Sequence, residues 1–583
     1  MPSLRLSTPY VGPDATLRSR APLGADLLVL VSVALIFYLI VLLSYRINAP
    51  IQDVASPSTL STNPALLPYY AGRSLLRMFA ALVASLVFTA GYATLAARSR
   101  RAEKILIPLL DILQSVPVLG FLSVTLSFWL WLFPGSELGV ELASIFAIFT
   151  AQVWNLTFAF YQSLLTLPRD LDEVSRLLRL TKWQRFWRID VPHGTMPLVW
   201  NGIMSFGGGW FFLIASEAIS VNNQDYALPG IGSYVAAVSH NQEIGLLLLA
   251  IGVMVVMVIG VNFVFWRPLT AWSERFRLGD TAGAVQQKSY VYDLLRRSRV
   301  PSLLGRAGRP VGRALDRLSR PFGLAERTRQ PTEVRQRTGD AVFTACVAIV
   351  IGFGLFHMLT YLHRSVGLGE FGTAAWLGLL TFLRVIVLLA FASLIWVPVG
   401  VWIGLNPRVT RFAQPIVQVL ASFPANFLFP FVTMALIVTG ISLDIGGILL
   451  MALGAQWYIL FNVIAGASAI PHDLIQVAAN LRLGRLQRWR TLYLPAIFGA
   501  WVTGGITAAG GAWNASIVAE VVSYGDTTLM ASGLGAYISE STAHGDFGRT
   551  LIGVVVMSLF VVGLNRVFWK PLYNLAERRY SFN

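Results

Sequence analysis

The sequence predicts an all-α integral membrane protein: twelve transmembrane helices arranged as two homologous six-helix halves. Two observations carry this. Hydrophobic residues make up 55% of the 583-residue chain and charged ones only 13%, which excludes a soluble globular fold. The apolar residues also fall in blocks long enough to cross a bilayer, which takes ~20 residues of helix. Second, the chain is written twice. Leu167-Pro168-Arg169-Asp170-Leu171-Asp172-Glu173-Val174 returns as Ile470-Pro471-His472-Asp473-Leu474-Ile475-Gln476-Val477, about 303 positions later. The register holds through Trp210 and Trp513, Glu217 and Glu520, and on to Phe265-Trp266-Arg267-Pro268 and Phe568-Trp569-Lys570-Pro571. A duplicated membrane unit implies a pseudo-twofold pair of bundles and suits a pathway along their shared axis.

The spans fall in order near 26–45, 74–97, 105–133, 140–166, 196–220 and 245–266, then 340–362, 374–404, 412–438, 444–468, 497–521 and 550–569. The first lacks the short apolar core and small-residue cleavage site of a signal peptide, so it reads as a retained helix. The halves occupy 1–275 and 340–583, joined by a basic segment at 276–339. Arginine and lysine set the orientation. Arg98, Arg100, Arg101 and Lys104 follow the second span; Arg169, Arg176, Arg179, Lys182, Arg185 and Arg188 follow the fourth. Arg408, Arg411, Arg482, Arg485, Arg488 and Arg490 hold the matching places in the second half. The opposite loops, Val221–Glu243 and Ser523–Asp546, have neither residue. Both termini are therefore expected in the cytoplasm, with the chain a multi-pass protein of a bacterial inner membrane.

The joining segment carries Arg296, Arg297, Arg299, Arg306, Arg309, Arg313, Arg317 and Arg320, and contributes to the net charge of +16. Contact with membrane lipid is one reading and a solvated, topology-enforcing tether the other. Short amphipathic helices are expected around Asp293-Leu294-Leu295 and from Ala314 to Leu318. Nucleic acid is not an expected partner, since no aromatic interleaving or recognition motif accompanies the arginines. The single cysteine, Cys346, excludes an intrachain disulfide and a cysteine-based metal cluster. His193, His240, His472 and His544 stand at no metal-ligand spacing, so no metal is expected.

The loop after the fourth span is built to protrude. Pro168 ends the preceding helix. Asp170 and Glu173, like Asp473 and Gln476, stand at capping-box spacing. Leu171, Val174, Leu177 and Leu178, matched by Leu474, Val477 and Leu481, form one apolar face at helical spacing. Each copy reads as a short amphipathic cytoplasmic helix, either lying on lipid or presented to a twofold partner; duplication at fixed register favours the partner.

These residues carry a resemblance. Glu173-Val174-Ser175 with Ile189-Asp190-Val191-Pro192, and Gln476-Val477-Ala478 with Leu492-Tyr493-Leu494-Pro495, resemble the cytoplasmic loop of ABC-importer permeases. That loop's E-A-A, Gly and I-x-L-P pattern forms the coupling helix held by the ATPase. The motif glycine is Arg179 and Arg482 here, and the glutamate is Gln476 in the second copy. Leu76-Arg77, Ser99-Arg100-Arg101 and Leu113-Gln114-Ser115-Val116-Pro117, answered by Leu383-Arg384, Arg408 and Leu420-Ala421-Ser422-Phe423-Pro424, are similar to the nitrate/sulfonate/taurine/bicarbonate-type permeases. The resemblance implies a type I importer-like fold with two permease domains fused in one chain. It implies two ABC ATPase subunits beneath Asp170, Leu171, Glu173, Val174, Leu177, Pro192, Asp473, Leu474, Gln476, Val477, Leu481 and Pro495. It further implies ATP and Mg on those subunits, a periplasmic or extracellular solute-binding protein, and a small polar or anionic cargo. The chain itself has no G-x-x-x-x-G-K-[ST] and no Gly-Lys dipeptide, so it is expected to bind no cofactor and to be no enzyme.

Pathway candidates lie on the fifth spans. Gly207-Gly208-Gly209-Trp210 and Gly510-Gly511-Ala512-Trp513 offer small residues for close helix approach. Glu217 and Glu520 follow about two turns on, with Ser220 and Ser523 beyond. An acid inside the membrane must face protein or water, so these two read either as a paired gate or as carboxylates held by local backbone and Ser/Tyr donors. Arg77 is expected to snorkel to the outer interface and Arg384 to lie deeper. Phe128, Trp129, Trp131 and Phe133 read as an aromatic belt. Gln152, Asn155, Gln456 and Tyr458 read as interhelical hydrogen-bonding groups or cargo contacts. Two other functions fit parts of the pattern: a secondary transporter using Glu217 and Glu520 as a proton relay, and an ABC-type unit moving an amphiphile without a delivery protein. The duplicated loop argues against the first.

Overall fold

The computed structural model describes residues 23–44, 59–116, 118–221, 224–276, 289–300, 333–367 and 369–579, with Arg306, Pro310, Gly312 and 314–317 between. Its elements are helices α1 (Leu23–Ser44), α2 (Leu67–Arg98), α3 (Arg100–Ser115), α4 (Leu122–Leu132), α5 (Glu137–Leu165), α6 (Arg169–Leu177), α7 (Lys182–Arg185) and α8 (Val191–Glu217). After strands β1 (Ala218–Val221) and β2 (Gln224–Ala227) come α9 (Ile231–His240), α10 (Ile244–Val261), α11 (Arg267–Ser273) and α12 (Tyr290–Arg297). The second half follows the same order: α13 (Glu333–Ser365), α14 (Glu370–Gly404), α15 (Pro407–Ser422), α16 (Phe429–Thr439), α17 (Leu443–Ser468), α18 (His472–Asn480), α19 (Arg485–Arg488) and α20 (Leu494–Ala519). Strands β3 (Val521–Tyr524) and β4 (Thr527–Met530) and helices α21 (Leu534–Ala543), α22 (Phe547–Leu564) and α23 (Lys570–Arg579) complete it.

Among the described residues nine helices are long and apolar enough to cross a bilayer, or ten if the bent pair of the second half is one span. The first span shows a shorter apolar stretch, Asp26–Val41, and its predicted end at Tyr45 lies outside the described residues. The third span of each half is not one helix. In the second half α15 and the segment from Ala425 to Thr439 meet at 81°. In the first, α3 stops at Ser115 and α4 begins at Leu122. The cause is local. A proline excludes the helical conformation from the residue before it, and Val116 (ψ 127°) and Phe423 (ψ 128°) are accordingly extended. Pro117 itself lies outside the described residues.

Contacts gather the chain into two compact units. One comprises Met1–Tyr45, Gln162–Trp200 and Gly260–Gln330. In it Ser289 caps α12 by accepting from the Tyr292 N–H at 3.3 Å, which confirms a short helix around Asp293-Leu294-Leu295. Asp26 in the first turn of α1 accepts from the Ser298 hydroxyl at 2.9 Å and also from the Arg299 N–H. Of the second helix expected in the joining segment, Ala314 to Arg317 are helical and Leu318 lies outside the described residues, as do Arg309, Arg313 and Arg320.

The other unit comprises Arg46–Tyr161, Asn201–Ile259 and Pro331–Asn583. Small residues let its helices touch. A Cβ on Gly466 would stand 2.6 Å from Ala500 Cβ, and one on Gly504 2.9 Å from the Tyr458 carbonyl. That pairs α17 with α20, the packing that replaces a hydrophobic drive between helices in lipid. Outward faces are apolar and exposed, as at Val87, Val256, Leu394 and Val438. Two features of the duplication were not anticipated from sequence. Each fifth span ends in a short antiparallel hairpin, β1–β2 and β3–β4. A π-helical turn also recurs at Phe186–Asp190 and Trp489–Tyr493, and again at Asn262–Trp266 and Asn565–Trp569.

Candidate functional site

The loop after the fourth span is a short helix in both copies, but it is not capped as the spacing predicted. Pro168 and Pro471 occupy the N-cap positions, so Asp170 and Asp473 fall inside the first turn, and no side chain caps either helix. There the carboxylates still face the positive end of the helix dipole. The capping box of the first copy lies one helix later. The Thr181 hydroxyl accepts from the Gln184 N–H at 3.1 Å, and the Gln184 side chain accepts from the Thr181 N–H at 3.2 Å. The second copy has Gly484 there and keeps only the return bond, from the Gly484 N–H to Gln487 at 3.0 Å.

The bend between the two short helices turns on Arg179 (φ 47°) and Arg482 (φ 49°), both left-handed. That is the backbone region glycine favours, and these are the positions where the resemblance places its glycine. The bend survives without it. The apolar stripe is left uncovered: Val174 is 43% exposed, Leu177 81%, Val477 50% and Leu481 66%. Leu474 is also exposed, Leu171 half-buried, and Ser175 and Ala478 are the buried inner face. Glu173 and Gln476 are exposed beside the stripe. Pro192 and Pro495 lie just beyond the π turns Phe186–Asp190 and Trp489–Tyr493, inside helices that run on unbroken from Lys182 and Arg485.

The two copies are braced differently. In the first, Asp172 pairs with Arg176 and, at 2.6 Å, with Arg185. In the second the matching position is Ile475, and Arg488 donates instead to the Leu483 carbonyl at 3.0 Å.

Where the third spans break, each half meets the fifth span of the other. The Val118 N–H donates to Asn514 Oδ1 at 3.1 Å, and Asn426 Nδ2 donates to the Phe211 carbonyl at 3.1 Å. Phe211 and Asn514 are equivalent positions of the repeat, so the contact is reciprocal. Gly207 lies against Ser422, at 2.8 Å from its hydroxyl to a Cβ placed there. Tyr458 reaches both fifth spans, its hydroxyl 3.4 Å and its ring 3.4 Å from Cβ atoms placed on Gly208 and Gly511. Trp210 and Trp513 are not in this crossing. They are buried within their own halves, Trp210 edge-on to Phe206 and Trp513 stacked on Phe560. Asn155 donates to Ser205 at 3.1 Å and Gln456 accepts from Trp396 at 2.8 Å, both between helices. Phe128 and Trp131 are exposed.

The acids at the ends of the fifth spans sit in matching sockets. Glu217 and Glu520 are both fully buried. Glu217 accepts from the Ser74 hydroxyl at 2.6 Å, from Arg77 Nη1 at 2.6 Å and from the Gly232 N–H at 2.7 Å. Glu520 accepts from Thr381, Arg384 Nη1 and the Gly535 N–H, each at 2.8 Å. The helix that follows each hairpin thus aims its N-terminal N–H groups at the carboxylate. Gly230 and Gly533 lie so close to it that any Cβ would fall on the carboxyl group.

Arg77 does not snorkel: it is 2% exposed and also holds Glu141 through two bonds of 2.6 Å. A guanidinium near the end of an apolar helix can reach the interface, but two buried carboxylates of its own half, Glu141 and Glu217, give it a better partner set. Arg384 is buried and pairs with Asp444 at 2.6 Å. Ser523 does not continue the helix beyond Glu520. It lies in β3 and shares a 2.8 Å hydrogen bond with Thr528 across the hairpin. Ser220 lies in β1 opposite Asp225, and its side chain is outside those described. The sequence did carry a signal for the sockets: Gly230-Ile231-Gly232 repeats as Gly533-Leu534-Gly535, and Ser74/Arg77 as Thr381/Arg384.

Comparison with known proteins places this architecture in a class. Residues 87–267 and 396–568 each match the family described as binding-protein-dependent transport system inner membrane component. Together they cover more than half of the chain, which belongs to that family: it is a multi-pass inner-membrane permease of the ABC-importer class, with two permease domains in one polypeptide. Among its relatives, a nitrate import permease of Leptolyngbya laminosa is 27% identical over 31% of this chain and 62% of its own length. A bicarbonate transport system permease of Synechococcus elongatus is 27% identical over 33% of this chain and 67% of its own. A glycine betaine/proline betaine permease of Salmonella typhimurium is 22% identical over 37% and 57%. The chain thus spans just under two thirds of the length of the nitrate relative it matches.

Proposed function

We propose that this chain forms the translocation pathway of an importer for a small polar or anionic solute and couples it to ATP hydrolysis on two separate ABC ATPase subunits. The domains divide at 1–275, 276–339 and 340–583, and both termini and the two protruding loops face the cytoplasm. The observation that carries the reading is the pair of uncovered apolar stripes, Val174 and Leu177 in one copy and Val477 and Leu481 in the other, each on a helix held by a left-handed bend. An exposed helix face of this kind fits a hydrophobic cleft on a partner. Asp170, Leu171, Glu173, Asp473, Leu474 and Gln476 complete the two docking faces, and Pro192 and Pro495 fix their exit into the fifth spans.

ATP and Mg belong to the partner, and this chain binds no cofactor. A solute-binding protein delivers cargo from the periplasm. The path runs through the crossing of the third-span breaks with the fifth spans, where Gly207, Gly208, Gly511, Asn426, Asn514 and Tyr458 meet. Glu217 and Glu520 act there indirectly, by holding the outer ends of the fifth spans. Nitrate, bicarbonate and betaines, named for the relatives, are the first solutes to test.

The experiment is affinity capture of the full chain from its native host. Wild type should retain an ATPase with a Walker A motif; Leu177→Asp with Leu481→Asp should lose at least about tenfold of it, since each charge enters an apolar cleft unpaired. Equal retention by the double variant would refute the docking assignment.

A further inference from the structure

The basic joining segment is tied to the first span at a fixed depth. Helix α12 packs on α1 and α11 with Val291, Tyr292 and Leu294 half-buried, and leaves Tyr290, Leu295, Arg296 and Arg297 exposed. Just past its end, the Ser298 hydroxyl and the Arg299 N–H both donate to Asp26, at 2.9 and 2.5 Å. Asp26 lies in the first turn of α1, and from the next residue on that helix is apolar. Leu27, Leu28, Leu30 and Val31 are exposed there. Exposed apolar residues on a spanning helix face hydrocarbon, so Asp26 marks the edge of the bilayer core. Arg297 and Arg299 flank the tied Ser298 and Arg296 precedes them, which starts all three guanidiniums at headgroup level.

The turn after α11 adds a second mark of that depth. Arg275 is exposed, bonds the Tyr292 hydroxyl, and stands 5.8 Å from the ring centres of both Trp272 and Tyr292. Trp272 in turn lies edge-on to Phe276 at 5.0 Å. Aromatic rings with arginine beside them suit the membrane interface. On α1, α12 and these two junctions, Arg275, Arg296, Arg297 and Arg299 outnumber the acids Asp26, Asp293 and Glu274, and Asp26 is already engaged. A solvated tether would need neither the tie to Asp26 nor the aromatic cluster. We propose that the corner of α1, α12 and the turn after α11 binds the phosphate headgroup of an anionic phospholipid of the cytoplasmic leaflet. A guanidinium meets phosphate oxygens with two parallel N–H donors, and an arginine cluster exploits this. The proposal rests on the cytoplasmic placement of the N-terminus given above, not on the ATPase docking faces.

The test uses the full chain in phosphatidylcholine nanodiscs, with a fluorophore on Leu295→Cys in a Cys346→Ser background. Quenching by phosphatidylglycerol and by phosphatidylcholine, each spin-labelled on the acyl chain beside the headgroup, gives their relative binding at the corner. A basic residue near an anionic surface contributes roughly fivefold, so phosphatidylglycerol should be preferred by at least about tenfold. Arg296→Gln with Arg297→Gln and Arg299→Gln should bring the preference to within about twofold of parity. Lysine at the same three positions should keep most of it, which separates charge from a folding defect. Asp26→Ala should lower it by about threefold, because the arginines are no longer held at headgroup level. A contact driven by net charge alone would instead strengthen when that acid is removed.

Parity of the two lipids at the unsubstituted corner, a triple glutamine variant that keeps its preference, or a rise on Asp26→Ala would each overturn the site alone. An impermeant maleimide that reaches Leu295→Cys from outside intact cells would overturn the cytoplasmic placement, and the importer reading with it.

Discussion

The two sockets share a plan and differ in how much charge they bury. Four positions are common: Ser74 and Thr381, Arg77 and Arg384, Glu137 and Asp444, Glu217 and Glu520. The first half adds Arg73 and Glu141, 1% and 3% exposed, where the second half has Leu380 and Ile448. In the second half Asp444 keeps nearly half of its side chain exposed. The same carboxylate is therefore held in one half by a sealed five-charge network and in the other by three charges, one of them wet. A duplicated motif does not require a duplicated electrostatic environment. What both copies keep is the part that orients the end of the fifth span, namely hydroxyl, guanidinium and helix N-terminus. What differs is the shell behind it.

The largest test of this contrast removes one acid from each shell. Glu141→Ala strips both Arg73 and Arg77 of a buried partner and should cost ~3–5 kcal/mol, as breaking a buried pair does. Asp444→Ala leaves Arg384 on Glu520 with solvent nearby and should cost no more than ~1 kcal/mol. Fluorescence-detected size exclusion after heating would rank the two; equal losses would erase the distinction. A smaller effect comes from transplanting the second half's solution. Arg73→Leu alone should destabilise strongly, whereas Arg73→Leu with Glu141→Ile should recover most of the loss, because apolar replacement of a buried ion pair is often neutral. Failure to recover in the same heating assay would mean that the extra pair does more than neutralise itself.

The smallest effects belong to the protruding loops. Arg179→Gly and Arg482→Gly should each be neutral or stabilising by up to ~1 kcal/mol, since both relieve a left-handed non-glycine residue, with ATPase retention unchanged. Thr181→Gly should cost only a few tenths of a kcal/mol and make the first loop like the second. Hydrogen exchange across 169–190 and 472–493 would report both.

Much of this was legible from sequence because it is periodic or local. The apolar blocks, the Lys/Arg asymmetry and the 303-residue register each repeat a signal many times over. The uncovered Leu177 and Leu481 follow from spacing alone. The broken third spans were legible too, in Ser115-Val116-Pro117 and Ser422-Phe423-Pro424, but an unbroken run of hydropathy outweighed the proline rule. The sockets were not legible residue by residue. Arg77 meets Glu217 across 140 positions, and its own helix says only that an arginine lies near a span end.

Sequence by itself determined that the chain is a twofold-repeated set of membrane helices with matching protrusions, because hydropathy and helical spacing are properties of short stretches. Tertiary structure alone decided that Arg77 faces inward and that the fifth-span acids are held rather than open. Such choices depend on which donors and acceptors distant segments bring together where little or no water competes for them.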